Sequence, residues 1–205
     1  AQTPAWLHAA LGDDKELRAR ALLGTLSGLM PGGLVLRSTG RLYPGEKQPR
    51  WNLGLLRRRD GAPLWNGPPD PLLAAEPPPA APPDLAAFAS ALSQAFANLR
   101  WATECVEGAP ERDADKGDAD QEGTVMEAEV AAPAWTVTAT VGVDTEPLRF
   151  VLRVYEDKTD PDATHAPCVA IELPEITRVD DFLAALPCIE HAARACGLGA
   201  LVWTG

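Results

Sequence analysis

Residues 118–129 read DADQEGTVMEAE. They place Asp118, Asp120, Glu122 and Glu129 where a calcium-binding loop carries its first, third, fifth and closing carboxylates, with Gly123 at its sharp turn. Such a loop works because several oxygens converge on a hard cation. The flanks argue against it. A calcium loop is held by a helix on each side, whereas Gly108, Pro110 and Gly117 interrupt the upstream stretch and Pro133 follows closely downstream. Val125, Glu127 and Glu129 also alternate with Met126, Ala128 and Val130, which is the period of a strand. The favoured reading is an acidic, solvated loop that runs into a strand, with no metal and no cofactor.

A second candidate is Cys188 with His191, three apart on a stretch that reads as helix. A thiolate and an imidazole on adjacent turns could form a nucleophilic pair. The same face carries Ala184, Ala192 and Ala195, and a cysteine among alanines usually serves as a small core residue. His8, His165 and His191 are too scattered to suggest a metal cluster. The chain lacks the glycine-rich phosphate loop ending in Lys-Ser/Thr, the nucleophile elbow and the zinc-protease helix motif.

A third candidate is the basic run Arg57, Arg58 and Arg59 at the end of a predicted strand. Arg37, Arg41, Lys47 and Arg50 lie nearby, and Tyr43, Trp51 and Trp65 are interleaved. Guanidinium groups beside aromatic rings could hold a nucleic-acid strand by phosphate contact and stacking. The chain as a whole has a formal charge of −11, so phosphates are repelled at long range. The charge is uneven. Residues 1–60 carry ten basic and five acidic groups, and residues 104–129 carry two basic and ten acidic. Asp113, Asp115, Asp118, Asp120 and Glu122 are therefore the expected contacts for a basic protein partner.

These residues must be positioned by ordinary secondary structure. Residues 13–29 read as a helix that MPGG stops, with Leu17, Ala21, Leu22 and Leu29 at helical spacing. GLVLRSTGRLYP and RWNLGLLRRRDG read as a strand pair, with Trp51, Leu53 and Leu55 on one face of the second strand. The proline-dense segment 67–83 reads as a stiff spacer, although its P-x-x-P spacing could dock on an aromatic groove. A helix follows, with Asp84 as N-cap and Leu85, Phe88, Leu92, Phe96 and Leu99 along one side. WTVTATVGV and LRFVLRVYED flank the turn DTEP, and CVAIELP is another strand. A helix opens at Thr177 and Asp180, is kinked or divided at Pro187 and stops at Gly197. ALVW is a last strand.

The expected fold is α+β. Antiparallel sheet is covered by helices, either as one continuous sheet or as two similar hairpin/helix halves joined by the proline-rich connector. Residues 1–66 hold the first helix and hairpin, 67–83 the connector, and 84–205 a helix, the acidic loop 104–129, further strands and the last helix, with 1–66 and 84–205 able to form one body. No stretch approaches the ~18 apolar residues of a membrane span. Cys105, Cys168, Cys188 and Cys196 show no C-x-x-C and fit thiols of a reducing, cytoplasmic compartment. The leading functional expectation is a non-catalytic acidic protein-binding module that engages a basic partner: an adaptor, a chaperone, or an inhibitor of the immunity-protein kind. The alternatives are an enzyme without a common motif, with Cys188 and His191 as its candidates, and a binder of nucleic acid or of an acidic ligand through the Arg57–Arg59 hairpin, with Arg50 in the same basic patch.

Overall fold

The computed structural model describes residues 13–40, 51–73, 83–109, 133–156 and 167–205. Within them lie helix α1 (Asp13–Leu29), strands β1 (Leu34–Thr39) and β2 (Trp51–Leu56), and a short 3-10 turn (Pro71–Leu73). Helix α2 (Leu85–Asn98) is followed by β3 (Ala102–Glu107), β4 (Ala134–Thr140), β5 (Leu148–Tyr155) and β6 (Cys168–Glu172). Helix α3 (Val179–Ala195) and strand β7 (Leu201–Thr204) complete the order. The fold is α+β, as expected. Of the two arrangements left open, the sheet is the continuous one: seven strands in the order β2-β1-β7-β6-β5-β4-β3. It is not wholly antiparallel, because β7 pairs parallel to both β1 and β6. The connection β6–α3–β7 is thus a crossover unit inside a mostly antiparallel sheet. Segments 1–66 and 84–205 share this sheet.

Period-two alternation gives the sheet two different faces. Phe150 and Leu152 of β5, Val137 of β4, Ile171 of β6 and Trp203 of β7 point to the face that α2 and α3 cover, and join one core cluster with Phe88, Leu92, Phe96 and Ile189. Each such large side chain contributes roughly 1.5–3 kcal/mol by leaving water. Phe96 stacks on Trp101 at 5.2 Å and meets Phe150 at 5.0 Å. The second face carries Val35, Arg37 and Thr39 opposite Leu55, Leu53 and Trp51, so the predicted alignment of Trp51, Leu53 and Leu55 is observed. Cys168, Ala170 and Val202 form a smaller cluster with Tyr155 on that face.

The helices follow their expected bounds with differences in detail. Asp84 caps α2, its carboxylate accepting from the Ala87 N–H at 2.9 Å. Leu99, expected on the buried side, is an exposed C-cap residue. Arg100 then takes φ 64°, a left-handed position that favours glycine, and this turns Trp101 back onto Phe96. In α1 the spacing misleads: Leu17, Leu22 and Leu29 are 62%, 60% and 74% exposed, and Leu23 is the buried leucine. Helix α3 runs undivided through Pro187, which sits on its exposed side. Its N-cap is Arg178, with no side-chain capping bond, so the expected Thr177–Asp180 capping box does not form. Asp180 and Asp181 still lie in the first turn, where the helix dipole favours anions.

Part of the proline-rich connector is folded onto the body. The Trp65 indole donates to the Pro68 carbonyl at 2.9 Å, and the Leu201 N–H donates to the Pro69 carbonyl at 3.1 Å. Residues 74–82 lie outside the described set. Among the described residues, no helix is long and apolar enough to cross a membrane.

Candidate functional site

Arg37 is the one charged residue in strand LVLRST, directly after three apolar residues, and it points to the second face. Asp70 meets it there. That aspartate is fixed locally, since it opens the 3-10 turn and accepts the Leu72 N–H at 2.9 Å. The two side chains form a forked pair: Arg37 Nη2 donates to Asp70 Oδ1 at 2.7 Å, and Nη1 donates to Oδ2. The Asp70 side chain is 2% exposed and that of Arg37 14%. Burial works to discharge Arg37, but the Asp70 carboxylate more than offsets this, and the guanidinium pKa ends above its ordinary value. Arg37 also lies 5.4 Å from the centre of the Tyr155 ring, within cation–π range. The result is a permanently charged, oriented guanidinium. Two of its five N–H donors go to Asp70, and among the described residues no further hydrogen bond fixes the guanidinium.

Two cavities meet beside it. One of about 220 Å³ is lined by Arg20 of α1, Arg37, Thr39, Trp51, Asn52, Leu72 and Tyr155, among others. The second, of about 700 Å³, is lined by Thr39, Arg153, Tyr155, Ala170, Glu172 and Thr204, among others. Thr39 and Tyr155 belong to both, so the cavities form a joined cleft. The larger one lies over the ends of β1, β7 and β6, three parallel neighbours that finish at Thr39, Thr204 and Glu172. Parallel strands commonly offer ligand sites beyond their carboxyl ends. Arg153 and Glu172 sit on adjacent strands with Nε and Oε2 3.8 Å apart, both partly exposed. The cleft thus combines three arginines, a glutamate, a phenol and hydroxyls. It suits a small anionic or zwitterionic molecule: carboxylate or phosphate oxygens on the guanidinium groups, an ammonium on Glu172.

The residues singled out from the sequence lie elsewhere. Cys188 is buried in the main core, where its thiol donates to the Ala95 carbonyl at 3.5 Å. Burial raises its pKa, which keeps the unreactive thiol form. His191 is on the exposed side of α3, and no hydrogen bond joins the two. Cys105 and Cys196 are likewise pushed up by burial, and the four cysteines form no disulfide. Arg57, Arg58 and Arg59 are exposed in the loop after β2. Arg58 pairs with Asp60 at 2.7 Å, which lowers the Asp60 carboxyl to about 2. Arg50 and the acidic set Asp113, Asp115, Asp118, Asp120, Glu122 and Glu129 lie outside the described residues. The acidic stretch begins differently from the expected loop, because Glu104 and Glu107 belong to β3. Its two ends leave the sheet at β3 and β4, the edge opposite β2 and the arginine run. Among the described residues, no group of three or more His, Cys, Asp or Glu side chains converges as a metal site.

Sequence reasoning named Arg37 only as a neighbour of the arginine run, named Trp51 there and on a strand face, and passed over Asp70, Arg153, Tyr155 and Glu172. A signal was present. Arg37 and Arg153 each interrupt an apolar strand, and Asp70 stands between Pro69 and Pro71.

An α+β body with a polar cleft over the ends of parallel strands is the architecture of a small-molecule site rather than of a flat docking module. Residues 1–159 match the family described as "Putative amidoligase enzyme (DUF2126)", and the chain belongs to that family. The match includes Arg20, Arg37, Asp70, Arg153 and Tyr155 and ends before Glu172, Cys188 and His191. No curated protein and no solved structure matches the chain. Membership of an enzyme family overturns the expectation of a non-catalytic adaptor, chaperone or immunity-type inhibitor, and the enzyme alternative fits better. The misleading feature was charge: a net −11 says what the surface repels, and says nothing about a cleft with its own local sign.

Proposed function

We propose that this chain takes part in forming amide bonds between a carboxylate and an amine, and that the joined cleft on the second face of the sheet is where the carboxylate is held. The observation that carries the reading is Arg37. It is fixed by Asp70 and turned toward a cavity that Arg20 also lines, within a member of an amidoligase family. Fixed guanidinium groups bind carboxylate or phosphoryl oxygens with two parallel hydrogen bonds and lose little freedom in doing so. Direct condensation expels water from a stable carboxylate. The reaction class therefore needs an acyl group activated by a co-substrate, whose leaving group departs as the amine nitrogen forms its bond to the acyl carbon. Such leaving groups are anionic, and arginines stabilise them. Glu172 is the carboxylate at the cleft suited to hold the ammonium and accept the proton that the amine gives up. Cytoplasmic location belongs to the same proposal and draws on the four thiols.

The test uses hydroxylamine as the amine, which traps an activated acyl group as a coloured iron hydroxamate. The purified protein is incubated with a nucleoside triphosphate, magnesium and pools of amino acids and other small carboxylates. The expected result is hydroxamate formation with at least one pool, lost in Arg37→Met and in Arg153→Met. If wild type gives none above a protein-free control with any pool, or Arg37→Met forms it at the wild-type rate, the assignment of this cleft fails.

A further inference from the structure

The loop after β2 and the first turns of α3 border a separate, shallow and open groove of about 630 Å³. We infer that this groove binds an acidic peptide segment carrying apolar side chains, presented by a partner protein. Its floor is set by Leu64 and Phe182, which pack against the main core and so do not collapse into the space. Its apolar rim is solvent-facing: Val179 is 72% exposed, Leu183 38% and Leu56 37%. Isolated exposed leucines are ordinary, but three apolar side chains converging on one groove mark an interaction surface. The charged side is Arg57, Arg58 and Arg59. Asp60 neutralises Arg58, while Arg57 and Arg59 make no ion pair among the described residues. Among the described residues, the groove therefore presents two guanidinium groups without a carboxylate partner beside an apolar strip.

That combination selects the occupant. A purely apolar segment leaves the arginines unused, and a purely acidic one leaves the rim wet. A segment with both satisfies each. Nucleic acid and anionic bilayers also carry negative charge, but they approach as extended polyanions and meet the repulsion of a chain at −11. A peptide with a few carboxylates approaches with a small charge and is read only at close range. Val179, Phe182 and Leu183 lie beyond the family match, so the α3 side of the groove is outside what that match covers.

The probe is a fluorescein-labelled ten-residue peptide of alternating glutamate and leucine, read by anisotropy. Backbone amide shifts of Leu56–Asp60 and Val179–Leu183 are followed by NMR. The expected result is saturable one-to-one binding with shifts confined to those two segments. Arg57→Glu and Val179→Glu should each weaken it about tenfold, whereas Arg149→Glu should not. These side chains are exposed, so unchanged circular dichroism and melting temperature will confirm that the variants are folded. Absence of saturable binding overturns the proposal. So does equal binding by Arg57→Glu or Val179→Glu, or a stronger response to a single-stranded oligonucleotide or to phosphatidylserine vesicles than to the peptide.

Discussion

Replacing Asp70 with Ala tests the centre of the cleft. Asp70 and Arg37 are a buried pair joined by two hydrogen bonds, with side-chain exposures of 2% and 14%. Breaking such a pair leaves one charge in a poorly solvated site and typically costs ~3–5 kcal/mol. The Leu72 N–H also loses its acceptor, adding about 1 kcal/mol. For a chain of this size ~1 kcal/mol moves the melting temperature by roughly 2–4 °C, so a fall of about 8–24 °C is expected. Arg37→Met should cost a similar amount, because the aspartate is then stranded. The double variant Arg37→Met/Asp70→Ala removes both charges and should recover at least ~2 kcal/mol relative to the sum of the singles. Urea unfolding of the four proteins measures this coupling. Functionally the double variant should be folded and inactive in the hydroxamate assay, which separates the positioned guanidinium from the pair's effect on stability. Single variants that cost under ~1 kcal/mol, or losses that simply add, would refute the reasoning.

The remaining predictions concern other parts of the molecule. The Asp60 carboxyl should titrate by NMR near 2, and Arg58→Ala should move it back toward the ordinary carboxylate range. Because its folded pKa is lowered, this pair's contribution is present at neutral pH and is lost as pH falls from about 3.8 through about 2. Both groups are exposed, so the melting temperature should change little across that window. Cys188 in the folded protein should resist iodoacetamide at neutral pH, and Cys188→Ala should lower stability by ~1 kcal/mol while leaving any hydroxamate activity intact. Arg100→Gly should raise stability by roughly 0.5–1 kcal/mol in thermal unfolding, since its φ of 64° strains a side-chain-bearing residue. An unchanged or lower melting temperature would contradict that account.

Strands β1, β2 and β4 to β7 and two of the helices were readable because local pattern and tertiary role agree in them. Asp84 followed by Leu85, Phe88, Leu92 and Phe96 is a capped amphipathic helix in sequence and in structure. The first helix misled because its leucines occupy more than one side of the cylinder, so spacing alone could not choose Leu23 over Leu22. Strand β3 was hidden in what looked like the start of the acidic loop, since Glu104 and Glu107 read as solvated residues. An edge strand tolerates such charges. The cleft was the least legible part. Arg37, Asp70, Arg153 and Glu172 are far apart in sequence, and only the placement of β7 between β1 and β6 brings their strands together. No local motif encodes that arrangement.

The sequence presented the basic residues from Arg37 to Arg59 as one patch, and the β1–β2 pairing divides it in two. Thr39 pairs with Trp51 at one end of the hairpin and Leu34 with Leu56 at the other. Five residue steps separate these ends, about 17 Å at ~3.4 Å per residue. Arg37 faces the cleft on the second face, whereas Arg57–Arg59 leave from the far end and meet α3, which lies on the first face. At physiological salt, charge interactions fall off over ~8 Å. The two basic sites are therefore electrostatically separate despite their closeness in sequence. Charge reversal at Arg57 should weaken peptide binding in the groove about tenfold and leave carboxylate turnover in the cleft unchanged. Arg37→Met should do the reverse. A variant at either position that disabled both functions would mean that the hairpin transmits one site to the other.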